Sequence, residues 1–270
     1  MKSRNRSLVS FLILTTITFA GCRSSDSTGP SSANGVDLSA LISEIQAGSG
    51  GVAGVMAANG FPVTAAPALV PSSCMYSAAT QGFACATFTS NGLTISATFF
   101  LLDAAGHFQS APDAATTAAL RTVTDVSGTT KLDQGGTSGS MTLSNHQDMT
   151  LSGLLTDTHV LNGTSTMHSD LTLTAPGALH MVLDQTSVTA NVTMPKTGSS
   201  TPWPTSGTVT NDATTTTLGG SQPIVGTTHS VLTFNGSGNV TIVMTISSGS
   251  ASFTTTCKLN LAGGSTPVCS

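Results

Sequence analysis

Apolar residues stand at alternate positions in the C-terminal part of this chain, and that two-residue period constrains the fold more than any other feature. The pattern runs from 240 to 246, breaks at Ser247-Ser248-Gly249 and resumes, with one Thr in the apolar register, from 251 to 261. Successive side chains of a strand point to opposite faces, so each segment predicts a strand with one apolar face and one Ser/Thr face. With a further strand expected at 227–234, the chain is predicted to end in a three-stranded antiparallel meander.

Turn signals extend the same interpretation to the rest of the chain. Asn91-Gly92 is typical of a two-residue hairpin turn and is expected to connect a strand at 83–89 with one at 93–101. The alternate apolar residues from Val188 to Met194 are expected to share one face of their strand. Further strands are expected at 119–126, 140–144, 149–155, 164–174, 180–183, 187–194 and 208–210.

The fold class that follows is all-β, a multi-stranded antiparallel meander arranged as a sandwich or as a half-barrel, because strands succeed one another without helical patterns between them. One or two short N-terminal helices are expected beside it. Apolar residues at 38, 41, 42 and 45 have helical spacing, and Asp37 is suited to cap that helix. The apolar segment 52–58 is compatible with either a helix or a strand.

The N-terminus has the organisation of a secretory signal. Three basic residues and no acidic ones precede an apolar stretch at 8–20, which is shorter than the roughly 20 residues needed to span a bilayer. The stretch ends in Phe19-Ala20-Gly21-Cys22, which resembles the lipobox of bacterial lipoproteins, with Phe19 in place of the usual Leu. That resemblance implies cleavage before Cys22 and acylation of Cys22, and Arg23 at the next position implies the outer membrane.

These features predict three regions. Residues 1–21 form the signal peptide, 22–35 the lipidated Cys with a flexible Ser/Gly/Pro tether, and 36–270 a single β-rich envelope domain. The expected location is the bacterial cell envelope, with the N-terminal acyl chains as the contact to the membrane.

Four further cysteines predict two disulfides, because an exported chain matures in an oxidising compartment. Three pairings can be drawn among them, and the local one, Cys74 with Cys85 and Cys257 with Cys269, is favoured. Each bond would close a loop of about a dozen residues, which the chain-entropy model values at about 3 kcal/mol. A zinc site with four Cys ligands is the alternative, but neither pair has the short spacing that such sites use.

Charge is sparse, at 7% of residues against roughly 25% in typical globular chains. Removal of the signal peptide leaves five basic residues against twelve acidic ones, a formal net charge of −7. So few scattered cations cannot line a phosphate backbone, and nucleic acid is therefore excluded as a partner. An outer-membrane barrel is disfavoured as well, because aromatic residues make up only 4% of the chain and barrels carry aromatic girdles.

The sequence contains no catalytic or cofactor motif. Glu44 is the only Glu, so a zinc-protease motif cannot be formed, and neither a nucleophile elbow nor a phosphate-binding loop is found. The run Gly48-Ser49-Gly50-Gly51 does not complete a dinucleotide fingerprint. No cofactor, metal or catalytic residue is therefore predicted.

Histidine and aspartate recur at a spacing of two residues. His168 with Asp170, and His146 with Asp148, would share one face of a strand, and His180 lies near Asp184. Such pairs would ligate a metal only if neighbouring strands brought them together, so solvent-facing residues on a Ser/Thr face are the favoured interpretation. Trp203, between two prolines, is interpreted as a loop ring packed on the sheet rather than as a ligand contact.

Three functions follow from these observations. The favoured one is a non-enzymatic structural or interaction module with an envelope protein as partner, which needs only the anchor, the tether and the sheet. The alternative is a carrier of a lipid or another apolar ligand, which would resemble the periplasmic lipoprotein carriers with half-barrel sheets and requires an open apolar cavity. An envelope hydrolase is the least favoured, because its paired carboxylates would have to meet in one cleft.

Overall fold

The computed structural model describes residues 70–134, 137–175, 178–195, 203–219, 222–261 and 267–270, all within the compact unit Phe61–Ser270. These residues form one antiparallel sheet of fourteen strands, and the sheet is not closed. The strands are β1 (Cys74–Ser77), β2 (Gly82–Cys85), β3 (Phe88–Ser90), β4 (Leu93–Leu102), β5 (Phe108–Gln109), β6 (Ala119–Gln134), β7 (Thr137–Ser152), β8 (Thr158–Ala175), β9 (Leu179–Pro195), β10 (Ser206–Leu218), β11 (Ile224–Thr233), β12 (Asn239–Ser248), β13 (Ala251–Asn260) and β14 (Val268–Cys269).

The topology is a meander. From β6 to β14 every strand pairs with its neighbours in sequence, whereas β2, β3 and β5 all pair with β4. The predicted all-β antiparallel class and the C-terminal three-stranded meander are confirmed. A single sheet contains all the described strands, so the two packed sheets of a sandwich are not what these residues form. The expected N-terminal helices, and the boundaries drawn at residues 21 and 35, lie outside the described residues.

Two predicted breaks between strands were wrong. The segment expected at 140–144 and the first four residues of the one expected at 149–155 belong to the one strand β7, which ends at Ser152, and the segments expected at 180–183 and 187–194 belong to β9. The residues between them are polar on both faces of the sheet, so the apolar period disappears while the backbone pairing continues. Hydrophobic periodicity therefore marks only the parts of a strand that have a buried face.

A bulge in β9 corrects a second prediction. The register between β8 and β9 shifts between Leu161 and Gly163, where Asn191 has a φ of 52° and its N–H donates to Asn162 Oδ1 at 2.7 Å. One extra residue turns the side chains of the strand beyond it to the opposite face of the sheet. As a result Val188 is 47% exposed while Val192 is fully buried, so the alternate residues from Val188 to Met194 do not share a face.

The core is built from rows of apolar side chains that run across the strands. Each strand from β4 to β13, apart from the two-residue β5, contributes at least one residue that is at most 7% exposed. The buried residues that face each other on neighbouring strands form two runs, one over β4 and β6–β9 and the other over β10–β13. The two runs meet where the pairing of β9 with β10 is irregular. The first run is Leu101, Leu120, Leu151, Leu161 and Val192, and the second is Val209, Leu232, Ile242 and Cys257.

The predicted hairpin turn at Asn91-Gly92 is confirmed. The two residues have φ values of 52° and 82° and connect Ser90 directly to its partner Leu93, which is the positive-φ geometry of a two-residue turn. The N–H of Thr129 donates to the Gly92 carbonyl at 3.1 Å, so the turn also packs closely on β6. A side chain at position 92 would collide with that backbone.

Both predicted disulfides are formed, and each ties a terminal strand to the sheet. Cys74 faces Cys85 across β1 and β2, and Cys257 faces Cys269 across β13 and β14, with Cα–Cα distances of 3.9 Å. The two ends of the sheet are thus strands of four and two residues held covalently. Short edge strands restrict edge-to-edge association, a role that the scarce lysines of this chain do not fill.

The buried rows can be tested with two leucines close in sequence. Leu151→Ala removes a side chain that is 1% exposed and should lower the free energy of unfolding by about 2–5 kcal/mol. Leu155→Ala, at a residue that is 45% exposed, should change it by less than about 0.5 kcal/mol. Urea denaturation followed by circular dichroism measures both, and equal losses would contradict the assignment of the core.

Candidate functional site

One face of β6–β13 carries the charged side chains described in these strands, and we call it the polar face. Because side chains alternate and the strands pair without a break between the shifts in register, residues far apart in sequence meet there. Its acidic, basic and imidazole residues are Arg121, Asp125, Lys131, His146, Asp148, His168, Asp170, His180, Asp184, Asp212, His229 and Lys258.

Four imidazoles on the polar face bond to aspartates on the neighbouring strand. In three pairs the Nδ1 atom lies 2.7 Å from a carboxylate oxygen, and in the fourth the Nε2 atom lies 3.0 Å away. The pairs are His146 with Asp125, His168 with Asp184, His229 with Asp212 and, through Nε2, His180 with Asp170.

The sequence predicted the shared face correctly but not the partners. His168 and Asp170 lie on the same face, as do His146 and Asp148, yet each binds a residue across the ladder. Residues two apart on a strand are separated by about 6.8 Å, whereas opposite residues bring their Cβ atoms to about 5 Å. His180 likewise pairs with Asp170 rather than with Asp184.

Asp212 and its pairing with His229 were missed, although the sequence contains a usable signal. Residues at equal distances from a hairpin turn face each other, and Asp212 and His229 are equidistant from Gly220-Ser221. Asp125 and His146 are equidistant from Gly135-Gly136 in the same way. Locating the hairpin turns before pairing polar residues would have found both contacts.

Three of the four pairs, all except His180–Asp170, form a regular arrangement on six consecutive strands. In the order β6 to β11 the residues are Asp, His, His, Asp, Asp, His, in two adjacent rows across the sheet. Ser and Thr occupy the other positions of both rows. The first row is Asp125, His146, Thr166, Thr186, Asp212, His229, Thr245 and Thr254, and the second is Ser127, Ser144, His168, Asp184, Thr214, Thr227, Ser247 and Ser252.

A groove of about 580 Å³ follows these rows from β7 to β12, and we call it the polar groove. It contains the pairs His168–Asp184 and Asp212–His229, whose side chains are 50–64% exposed. Its polar-face lining is Ser144, Thr166, His168, Asp184, Thr186, Asp212, Thr214, Thr227, His229, Thr245 and Ser247.

The hydrogen-bonding capacity of the groove follows from the pair geometry. A neutral imidazole that bonds a carboxylate through Nδ1 carries its proton there, so its Nε2 atom is an acceptor. Each aspartate uses Oδ1 in the pair and retains Oδ2, a second acceptor. The groove therefore presents acceptors at its charged positions and hydroxyls, which both donate and accept, between them.

Arg121 and Asp148 form a separate ion pair on the polar face. Two guanidinium N–H groups donate to the two carboxylate oxygens at 2.8 and 2.6 Å, and the guanidinium also lies 5.3 Å from the centre of the Phe100 ring. The hydrogen bonds from Arg121 lower the pKa of the Asp148 carboxyl, although partial burial opposes them. The bidentate hydrogen bonds and the contact with the Phe100 ring fix the guanidinium in place, so Arg121 has a structural role.

Two residues outside the polar face, Asp103 in the loop after β4 and Trp203, have local roles. Asp103 accepts from the backbone N–H groups of His107 and Ala105, which lower the pKa of its carboxyl. A Cβ atom on Gly238 would lie 3.2 Å from the ring of Trp203, so this ring packs on the turn before β12. Among the described residues, no three His, Cys, Asp or Glu side chains are grouped to hold a metal ion.

Comparison with protein-family models, with curated proteins and with solved structures finds no match to this chain. In the part of the chain that the structure describes, no helix is long and apolar enough to cross a membrane. The interpretation of the polar groove rests on its own geometry.

The Arg121–Asp148 pair makes stability depend on pH. The pKa of Asp148 is lowered in the folded state, so its contribution is present above the unfolded pKa and is lost as the pH falls through the folded one. Because both side chains are partly exposed, we expect Asp148→Asn to cost about 0.5–1 kcal/mol at pH 7 and less at pH 3, which lies below the ordinary carboxyl pKa of 3.8. Urea denaturation at both pH values measures this, with Asp157→Asn in an exposed turn as the control. A pH-independent loss would contradict the pairing.

Proposed function

We propose that this protein is a lipid-anchored component of the bacterial cell envelope and that its sheet is a non-enzymatic binding module with the polar groove as its binding surface. The observation that carries the proposal is the groove itself. A surface groove that crosses six strands brings together carboxylates, imidazoles and hydroxyls, and its paired His and Asp side chains are half exposed or more. Concave sites with a few convergent polar groups are where proteins bind ligands.

The His–Asp pairs are better suited to recognition than to stabilisation. Exposed ion pairs contribute about 0–1 kcal/mol, whereas each buried leucine of the core rows is worth several times more. A sheet held by its apolar rows does not need four such pairs for stability.

The composition of the polar groove also distinguishes between the two binding functions that the sequence leaves open. A carrier of acyl chains needs a cavity lined by apolar side chains. The polar-face lining of the groove consists of Ser, Thr, His and Asp. This supports a polar partner over an apolar ligand.

The anchored location rests on the N-terminal sequence and agrees with the cysteine chemistry. Two disulfides in the sheet fit an oxidising compartment outside the cytoplasm. The lipobox-like Phe19-Ala20-Gly21-Cys22 supplies the acylation site. The tether at 22–35 would hold the sheet away from the membrane surface.

The anchor is tested by Cys22→Ser. This variant should lose incorporation of a labelled fatty acid and leave the membrane fraction, because the acyl chains supply the membrane affinity. Fractionation of cells with blotting of each fraction measures the distribution, and Ser24→Ala in the tether is the control. Retention of Cys22→Ser in the membrane fraction would rule out the anchor.

The binding module is tested by photocrosslinking in intact cells. A photoreactive amino acid at Thr214, in the polar groove, should give a discrete adduct, whereas one at Thr215, on the opposite face of the same strand, should not. Electrophoresis and mass spectrometry of the adduct measure the result. A lipid adduct would support the apolar carrier instead, and equal labelling from both positions would contradict a ligand site in the groove.

A further inference from the structure

The polar groove indicates which class of ligand the proposed binding module takes, and this inference rests on the proposed function. We infer that the polar groove binds a linear glycan whose sugars carry amino groups, lying across the strands. Three properties of the groove lead to this ligand: its hydrogen-bonding polarity, its charge and its direction.

The hydrogen-bonding groups of the polar groove require a ligand that is rich in hydrogen-bond donors. In both groove pairs the carboxylate Oδ2 and the imidazole Nε2 atoms are acceptors when the imidazole is neutral. The hydroxyls between them can serve donors or acceptors. A ligand with many O–H and N–H groups would satisfy these atoms, whereas an ester or acyl chain would leave them unpaired.

Among ligands rich in hydrogen-bond donors, the charge of the polar groove favours those that are cationic. Asp184 and Asp212 stand on neighbouring strands in adjacent rows, and the direct partner of each is an imidazole rather than a lysine or an arginine. The cations of the polar face are Arg121, Lys131 and Lys258, and none of them lines the groove. A polyanion would be repelled by the two carboxylates, while ammonium groups would form charge-assisted hydrogen bonds with them.

The direction in which the polar groove crosses the strands favours a glycan over a cationic peptide. The groove runs across the strands, so its chemical groups repeat at the inter-strand spacing of about 4.8 Å. That spacing is close to the length of one pyranose unit in an extended β-1,4-linked chain. Side chains on one face of an extended peptide repeat at about 6.8 Å and would drift out of step with the rows.

The test compares three ligands of six units each on the full-length chain purified in a neutral detergent. Chitohexaose carries hydroxyl and amino groups, cellohexaose has the same backbone without amino groups, and hexalysine has the charge without the sugars. Isothermal titration calorimetry at pH 7 and about 0.1 M salt, where exposed charges more than about 10 Å apart are screened, gives the three affinities. We expect chitohexaose to bind at least about tenfold more tightly than either of the others.

Variants locate the binding. Asp184→Asn and Asp212→Asn remove the charge but keep the shape, and each should weaken chitohexaose binding about tenfold or more. Asp170→Asn is the matched control, since Asp170 forms the same kind of pair on the same face but does not line the groove. Its affinity should stay within about twofold of the unsubstituted chain.

The outcomes separate this inference from the proposed function. If hexalysine bound as tightly as chitohexaose, charge alone would account for the interaction and the inference of a glycan ligand would be overturned. If cellohexaose bound as tightly as chitohexaose, the inferred role of the amino groups would be overturned. Absence of chitohexaose binding would also overturn the inference. In each case the crosslink from Thr214 would still decide whether the groove is a binding surface.

Discussion

The structure depends on the register of one long antiparallel ladder. A slip of a single residue would turn every apolar side chain of a strand to the polar face. The buried residues that cross the sheet prevent this, because each of nine strands places a residue that is at most 7% exposed in one of two runs of opposite residues, which meet between β9 and β10. Where β9 carries an extra residue, the bulge at Asn191 restores Val192 to that row.

Because the apolar rows set the register, they also determine the chemistry of the opposite face. Asp125 and His146, or Asp212 and His229, are separated by a hairpin in sequence and become direct neighbours only when the strands are in phase. The stabilising residues and the candidate ligand-binding residues thus lie on opposite faces of the same strands. Changes on the polar face can therefore alter recognition with little effect on folding.

The sequence predicted the strands with an apolar face, the Asn91-Gly92 turn and both disulfides, since each is encoded within a few residues. It did not predict the continuity of β7 and β9, because their central residues are polar on both faces and leave no period to detect. The partners of the histidines are a property of the register between strands. Local spacing suggested Asp170 for His168, whereas the ladder assigns Asp184.

Cross-strand nuclear Overhauser effects in the isotope-labelled protein, with its Hα protons retained, would test the register most directly. The account predicts contacts between the backbone protons of Ser144 and His168, of His168 and Asp184, and of Asp184 and Thr214, in one unbroken row. Contacts that instead place His168 opposite Leu183 or Gln185 would mean a register shifted by one residue. The polar groove would then not exist in the form described, and the binding proposal would fail with it.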